Sequence, residues 1–239
     1  GKHVLIEKPL ALSVQEVDEI KTAAEQTNVF ITEGMMHLHH HKTFAVRKML
    51  EQGNIGDPLY FNGEFTFPLT RPDDYRWDVS SGGGSLWDVG CYLVSYARFL
   101  FGELPLTVQG YQIIAPTGVD RTFSGILQFE SDRTAHIFTS FDLPRRRCIE
   151  IRGTQGNLLI PEPFRSENPT QVILKTDKGE NPFHFPAQDR YLGEIEDLQQ
   201  AILNGEPPRA SLEESRRNIG TINRLMQSAG EGTTLKMEL

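Results

Sequence analysis

The sequence lacks most of the features that mark whole classes of protein. Among 239 residues there are two cysteines, Cys91 and Cys148. Two thiols are too few for a disulfide framework, and no CxxC pair marks a metal or redox site. The simplest setting is a reducing cytoplasm with both thiols buried or unreactive. Lys and Arg total 24 against 32 Asp and Glu, a net charge of -8. That balance argues against a nucleic-acid partner, because phosphate-backbone binding needs clustered cations. The one basic run, Arg145-Arg146-Arg147, is short and reads as a solvated loop or strand end. No stretch approaches the roughly 18 apolar residues of a membrane helix, so no membrane partner is expected. Glu7 and Lys8 interrupt the first apolar run, Val4-Leu5-Ile6, too early for a signal peptide. A GxGxxG turn is also missing, and with it the usual pyrophosphate cradle of a dinucleotide-binding strand and helix.

What is present is a globular chain. Hydrophobic residues make up 38%, enough for one large domain or two small ones. Val4 to Glu7 reads as a buried strand that Pro9 ends. Ser13 and Glu16 form a capping box, and Val17, Ile20 and Ala24 at helical spacing predict a helix over Val14 to Gln26. Val29 to Thr32 is a second buried strand, so the unit predicts two parallel strands joined by a right-handed crossover. Two strands do not make a stable sheet, and the unit calls for more parallel neighbours.

Further on, a helix is predicted over Lys42 to Gln52 with Gly53 as its C-cap. A strand follows over Leu59 to Phe67, and a helix over about Ser85 to Leu100 ended by Gly102. From Leu106 to Leu174 short β-rich runs alternate with turn residues, which predicts an antiparallel meander. Gly153 to Asn157 reads as a tight hairpin loop. Two helices close the chain, about Gln188 to Asn204 and Leu212 to Ala229, the second entered by a Ser211/Glu214 capping box. The expected fold is an α/β remnant followed by an α+β domain on a large, mostly antiparallel sheet.

Two constellations can carry chemistry. Glu7-Lys8-Pro9 stands at the C-terminal edge of a parallel strand, where open α/β sheets bind ligands. The alternative is a solvated strand end. Gly82-Gly83-Gly84 opens a helix on which Asp88 and Tyr92, four residues apart, share a face. There the alternative is a packed aromatic beside a carboxylate that answers the helix dipole.

Taken in order along the chain, these motifs resemble the Gfo/Idh/MocA oxidoreductases. The resemblance rests on the Glu-Lys-Pro strand end, the run from Gly82 to Tyr92 and Arg98-Phe99-Leu100-Phe101-Gly102. It continues through Glu150 to Gly156 and Glu194 to Leu198, and so covers essentially the whole chain. It implies an NAD- or NADP-dependent exchange of hydride with a sugar, polyol or related alcohol. Tyr92 would be the general acid/base. Lys8 would lower its proton affinity from the ordinary value of roughly 10, and Asp88 would hold the substrate hydroxyl or orient the pair. Glu7, Lys8 and Pro9 would touch the nicotinamide end of the cofactor. Many members carry histidine where Tyr92 stands; tyrosine resembles the branch of glucose-fructose oxidoreductase, dihydrodiol dehydrogenase and xylose dehydrogenase.

The resemblance makes Arg76 and Trp77 candidates for substrate contact, with a surface salt bridge as the alternative for Arg76. Tyr191 is a weaker candidate, for which a core aromatic is the better reading. The cluster His37-Leu38-His39-His40-His41 invites a metal reading, but four histidines crowd one short stretch with no Cys or carboxylate partner. No metal is therefore assigned. His40 falls at a family histidine near the cleft, while Leu38 and His41 replace the usual arginine and proline.

The family's first domain is a Rossmann fold with a glycine-rich loop that is not found here. Residues 1–36 are thus read as the C-terminal remnant of that domain and residues 37–239 as the substrate and dimerisation domain. The 239-residue chain is expected not to turn over by itself. A non-catalytic regulatory or binding protein of the same fold is the competing reading. A homodimer or dimer of dimers through the open sheet is compatible with either.

Overall fold

The computed structural model describes residues 1–239. Strand β1 (Val4–Glu7) lies parallel to β2 (Ile31–Gly34), with Val4 opposite Ile31 and Glu7 opposite Gly34. Helix α1 (Val14–Thr27) joins them. Its capping box forms in full: the Ser13 hydroxyl accepts from the Glu16 N–H, and the Glu16 carboxylate accepts from the Ser13 N–H. Asn28 closes the helix in the left-handed conformation, which asparagine tolerates. The second strand starts two residues later than predicted because Asn28 and Val29 are consumed in ending the helix.

Helix α2 (His41–Glu51) leads through a turn into β3 (Pro58–Thr66). Helix α3 (Cys91–Phe101) is preceded by a π-helical turn, Leu86–Gly90, and ends on Gly102 at φ 75°. Seven strands follow: β4 (Thr107–Ile114), β5 (Asp120–Gln128), β6 (Thr134–Ser140), β7 (Arg146–Gly153), β8 (Gly156–Pro161), β9 (Thr170–Thr176) and β10 (Gly179–Phe185). Helices α4 (Leu192–Asn204) and α5 (Leu212–Glu231) and a short β11 (Leu235–Lys236) complete the chain. Glu214 does not return to Ser211 as predicted. It pairs with the buried Arg98 at 2.9 Å, so only half of that capping box forms.

The large sheet runs β10-β9-β8-β7-β3-β6-β5-β4-β11. It is not the plain meander expected from the turn spacing. Strand β3 inserts between β7 and β6 and is parallel to β6, while every other neighbouring pair is antiparallel. Strands β10 and β11 were not foreseen: β10 is Pro-containing and polar, and β11 is only two residues long.

One face of the sheet lies under the helices. Gly110 of β4 illustrates why: a Cβ there would stand 2.4 Å from the Leu225 carbonyl oxygen of α5, so only glycine allows that approach. The other face is open. Its rows are read directly from the register, with Asn62, His136 and Glu150 side by side, and its β4–β5 corner exposes Tyr111, Ile113 and Ile126.

The βαβ unit and the sheet share a core. Val17 and Met35 belong to the same buried cluster as Ile219 and Ile222. Arg216 of α5 pairs with Asp18 of α1 at 2.7 Å, and the buried Thr32 hydroxyl donates to the Ala210 carbonyl at 2.9 Å. These contacts fix β1, and the residues it delivers, against the helix-covered side of the large sheet. No helix is long and apolar enough to cross a membrane.

Candidate active site

Strand β1 ends at Glu7 and passes Lys8 to a cleft of about 540 Å³. The turn after Lys8 is held from below: the Leu10 N–H donates to Glu33 Oε1 at 2.9 Å. Glu33 lies on β2 and is 1% exposed. Burial raises its proton affinity, opposed by its bonds from Ser215 and Leu10. Glu33 was not foreseen as a support for Lys8, since nothing in sequence links positions on different strands.

Opposite Lys8 stands the π-helical turn. Gly83 and Gly84 bring it into place: a Cβ on Gly83 would meet the Arg76 carbonyl at 2.5 Å, and one on Gly84 would meet Asp120 Oδ1 at 2.1 Å. Asp120 anchors the turn's start, accepting from the Ser85 hydroxyl at 2.7 Å and the Leu86 N–H at 2.8 Å. Burial pushes its carboxyl up to about 6, against the pull of those two bonds. A π-helical turn re-aims side chains relative to an α-helix and recurs at functional sites. Here it turns both oxygen groups of one residue to the same cation. Lys8 Nζ donates to Asp88 Oδ1 at 3.0 Å and also to the Asp88 carbonyl oxygen.

The other carboxylate oxygen of Asp88 accepts from Arg76 Nε at 2.7 Å. Arg76 is held in turn by Asp74 at 3.0 Å. Asp88 thus bridges two cations, and the surface salt bridge considered for Arg76 is instead a bond to the centre of the site. Burial works against the charge on Lys8. The acids Cys91, Tyr92 and Asp88 around it, with the bond to Asp88, outweigh burial and raise its proton affinity. Lys8 is therefore a cation throughout the ordinary pH range.

Tyr92 also lines the cleft, 8% exposed, with Lys8 Nζ 4.9 Å from its ring centroid. Phe65 stacks on the same ring at 6.4 Å and Phe164 tilts against it at 5.3 Å. Its hydroxyl bonds to no protein group, so it is free to meet a ligand. The expected lowering of its proton affinity is not what the balance gives. Burial raises it, and the Lys8 charge opposes that rise without reversing it.

The remaining candidates divide. Glu7, Arg76 and Tyr191 line the cleft. Tyr191 is 46% exposed, so it is not the core aromatic that the sequence favoured. Trp77 lies outside the cleft lining: its Nε1 donates to the Arg71 carbonyl at 3.0 Å and its ring meets Phe141 edge-on at 5.4 Å. Pro9 turns the chain away after Lys8 and is not part of the lining.

His40 is also displaced from its expected role. It is 1% exposed, and its Nε2 meets the Ser166 hydroxyl at 3.2 Å, behind the cleft wall. Burial and the Lys42 charge push it down to about 4. His37 is fully buried against Tyr96 at 5.5 Å, with Ser95 at 3.3 Å, and burial holds it well below its usual range. His39 contacts Arg209. The cluster packs into three separate environments because a short 3₁₀ turn, Met36–His39, fans the rings apart. No group of three His, Cys, Asp or Glu side chains is arranged to hold a metal ion.

The basic run dismissed as solvated does reach the cleft. Arg145 and Arg147 line it, while Arg146 between them pairs with Glu64 on the open face. Within β7, strand alternation separates Arg146 from Arg147. A second cavity of about 280 Å³ lies between β2, α3 and α5, and the Arg98–Glu214 pair closes on it. Glu214 also accepts from Arg217 there, and the cavity marks the seam between the βαβ unit and α5.

The cleft thus gathers Lys8, Arg76 and four further arginines beside a parallel strand edge, against the wall of a mostly antiparallel sheet. Residues 1–35 match an oxidoreductase family with an NAD-binding Rossmann fold, and residues 44–159 match the GFO/IDH/MocA C-terminal domain. The chain is 31% identical over 242 residues to D-xylose 1-dehydrogenase (NADP(+)) 2 of Haloferax volcanii, covering 100% of this chain and 74% of that protein. It is 32% identical over 241 residues to trans-1,2-dihydrobenzene-1,2-diol dehydrogenase of Xenopus laevis, covering 96% and 72%. Among solved structures, the 3-ketoreductase KijD10 of Actinomadura kijaniata, in complex with NADP and TDP-benzene, superposes with a TM-score of 0.90. It shares 27% identity over 95% of this chain and 71% of that one. The chain belongs to the Gfo/Idh/MocA family, whose cofactor is NAD or NADP.

Proposed function

We propose that this chain carries the substrate and proton-handling half of an NAD(P)-dependent oxidoreductase acting on the CH–OH group of a sugar, polyol or related alcohol. The observation that carries it is the unbonded Tyr92 hydroxyl in the cleft, beside a lysine that Asp88 holds in place. KijD10 has been crystallised with one lysine replaced by glutamate or alanine and with one tyrosine replaced by phenylalanine. That lysine and tyrosine stand as far apart in its sequence as Lys8 and Tyr92 do here.

The residues present fit the nicotinamide end of the cofactor. Glu7 and Lys8 put a carboxylate and an ammonium on the cleft wall at the end of β1, where α/β sheets receive ligands. Residues 1–36 are then the C-terminal part of the dinucleotide-binding domain and residues 37–239 the substrate domain. When bound, the nicotinamide supplies or accepts the hydride at the substrate carbon. Tyr92 gives a proton to the substrate oxygen in reduction and takes it back in oxidation. Lys8 keeps a positive charge within 4.9 Å of that ring, which stabilises the phenolate left behind. Asp88 fixes Lys8 and Arg76 in register, and Arg76 is placed to contact a substrate hydroxyl.

The open sheet face, with Tyr111, Ile113 and Ile126 exposed on it, supports a homodimer or dimer of dimers. A light-scattering mass of a single chain at micromolar concentration would count against that assembly. The catalytic reading is tested on the complete gene product, by fluorescence titration with NADH and NADPH and by mass spectrometry of aldoses incubated with C4-deuterated cofactor. Deuterium at the carbinol carbon is expected. Failure to bind either cofactor would sink the reading and favour the regulatory alternative.

A further inference from the structure

Hydride transfer leaves four arginines of the same cleft without a role. Arg147 enters it from β7, Arg145 from the loop just before that strand, Arg165 from the turn after β8, and Arg190 from the loop before α4. Their charges are incompletely answered. Arg147 pairs with Glu162 at 3.0 Å and Arg190 pairs with Glu167, yet each keeps an enclosed Nε with no acceptor. The Arg147 side chain is only 10% exposed and lies 5.0 Å from the Phe65 ring. Arg145 and Arg165 are exposed and pair with no carboxylate. The carboxylates that line the cleft are Glu7 and Asp88, and Asp88 already bridges Lys8 and Arg76.

The backbone of this rim is held from behind. The buried Lys42 donates from Nζ to the Glu162 carbonyl at 2.7 Å and also to the Arg165 carbonyl. His40 holds Ser166 from behind, and Phe164 is buried among Tyr92, Phe65 and His37. Arg165 therefore projects from a fixed backbone. Like charges gathered in one concavity repel, and a chain of net charge -8 has ample acids with which to cancel them. A low-dielectric cleft that keeps one sign of charge concentrates ligands of the other sign.

We propose that Arg145, Arg147, Arg165 and Arg190 form an anion subsite for a phosphoryl group carried by the substrate, so that the chain acts on a phosphate-bearing sugar or polyol. Two unpaired guanidinium groups match the double charge of a phosphoryl group better than the single charge of a carboxylate. Planar guanidinium forks also match phosphate oxygens geometrically. This rests on the reading of the cleft as the substrate site.

Calorimetric titration of the protein with glucose 1-phosphate, glucose and glucuronate tests it. Glucose 1-phosphate is expected to bind roughly tenfold or more tightly than either of the others. The Arg145→Gln/Arg165→Gln double variant removes two exposed, unpaired side chains, so it should fold as the parent does, which a thermal melt checks. It is expected to lose roughly 10- to 100-fold in affinity for glucose 1-phosphate. Arg146→Gln, on the opposite face, should leave that affinity unchanged. Equal affinities for the three ligands, glucuronate matching glucose 1-phosphate, or a double variant that binds as tightly as the parent would each overturn the subsite. If deuterium transfer fails while arginine-dependent binding persists, the hydride reading falls and the subsite stands. If transfer to neutral sugars proceeds with no dependence on Arg145 and Arg165, the subsite falls and the hydride reading stands.

Discussion

At the buried end of the cleft Lys8 and Arg76 share one carboxylate, Asp88, whereas at the exposed rim Arg145 and Arg165 share none. The difference is one of cost. Buried charges need partners close by, because desolvation is large and an unpaired ion is destabilising. Exposed guanidiniums stay hydrated and can wait for a ligand. The buried end is thus organised before anything binds, and it suits chemistry that needs fixed geometry. The rim is organised through its backbone and suits recognition.

The largest expected effect comes from breaking the chemistry at the buried end without touching its packing. In the complete gene product, Tyr92→Phe should lower kcat about 10²- to 10⁴-fold, the range for loss of a general acid/base. Its hydroxyl makes no protein hydrogen bond, so unfolding stability should change by less than about 1 kcal/mol. A steady-state assay and a urea titration read the two quantities separately. A variant that loses both together would mean that Tyr92 is a packing residue.

Next in size is Asp88→Asn, which removes the shared carboxylate and leaves Lys8 facing Arg76. Breaking a buried pair by deleting one partner costs about 3–5 kcal/mol, so the urea midpoint should fall markedly. A midpoint unchanged from the parent would show that the buried end tolerates unpaired charge as the rim does, and the contrast between the two would dissolve.

The smallest effect concerns the edge between the two regions. Glu194 is 4% exposed and one of its carboxylate oxygens has no partner. Burial, and then the nearby Glu7 charge, push it from an ordinary 4.5 up to about 7. A carboxyl whose folded value is raised gives stability that is complete below its unfolded value and is lost as pH rises through the folded one. Relative to Glu194→Gln, the parent should therefore lose thermal stability between pH 4.5 and about 7, the buried His37 and His40 contributing alike to both proteins. Identical profiles for the two proteins would place the pH dependence elsewhere, with Asp120 as the next group to test.

Legibility in the sequence follows the same division. Lys8, Asp88 and Tyr92 were readable because each sits inside a local signal: a strand end, a glycine run and a helical spacing. The βαβ unit and the Ser13 capping box were readable for the same reason. The rim was not. Arg165 and Arg190 stand in loops with no periodicity, and only the fold brings them to Arg147. His40 misled because a family position was carried over without its rotamer; the ring turns inward to Ser166. Trp77 misled because its neighbour Arg76 reaches the cleft while its own ring packs on Phe141. The insertion of β3 beside β6 was hidden because parallel pairing leaves no turn signal to read.

The central claim is that Lys8 and Tyr92 act as one acid/base unit, and titration of the Tyr92 phenol tests it most directly. Carbon-13 NMR of ζ-labelled tyrosine, with Tyr92 assigned by Tyr92→Phe, follows that group beside the exposed Tyr111. Tyr92 should titrate above the ordinary phenol value of roughly 10 in the parent, because burial outweighs the lysine. In Lys8→Met it should titrate higher still, because the opposing charge is gone. A Tyr92 resonance that titrates at or below the ordinary phenol value of roughly 10, or that does not move when Lys8 is replaced, would contradict the account.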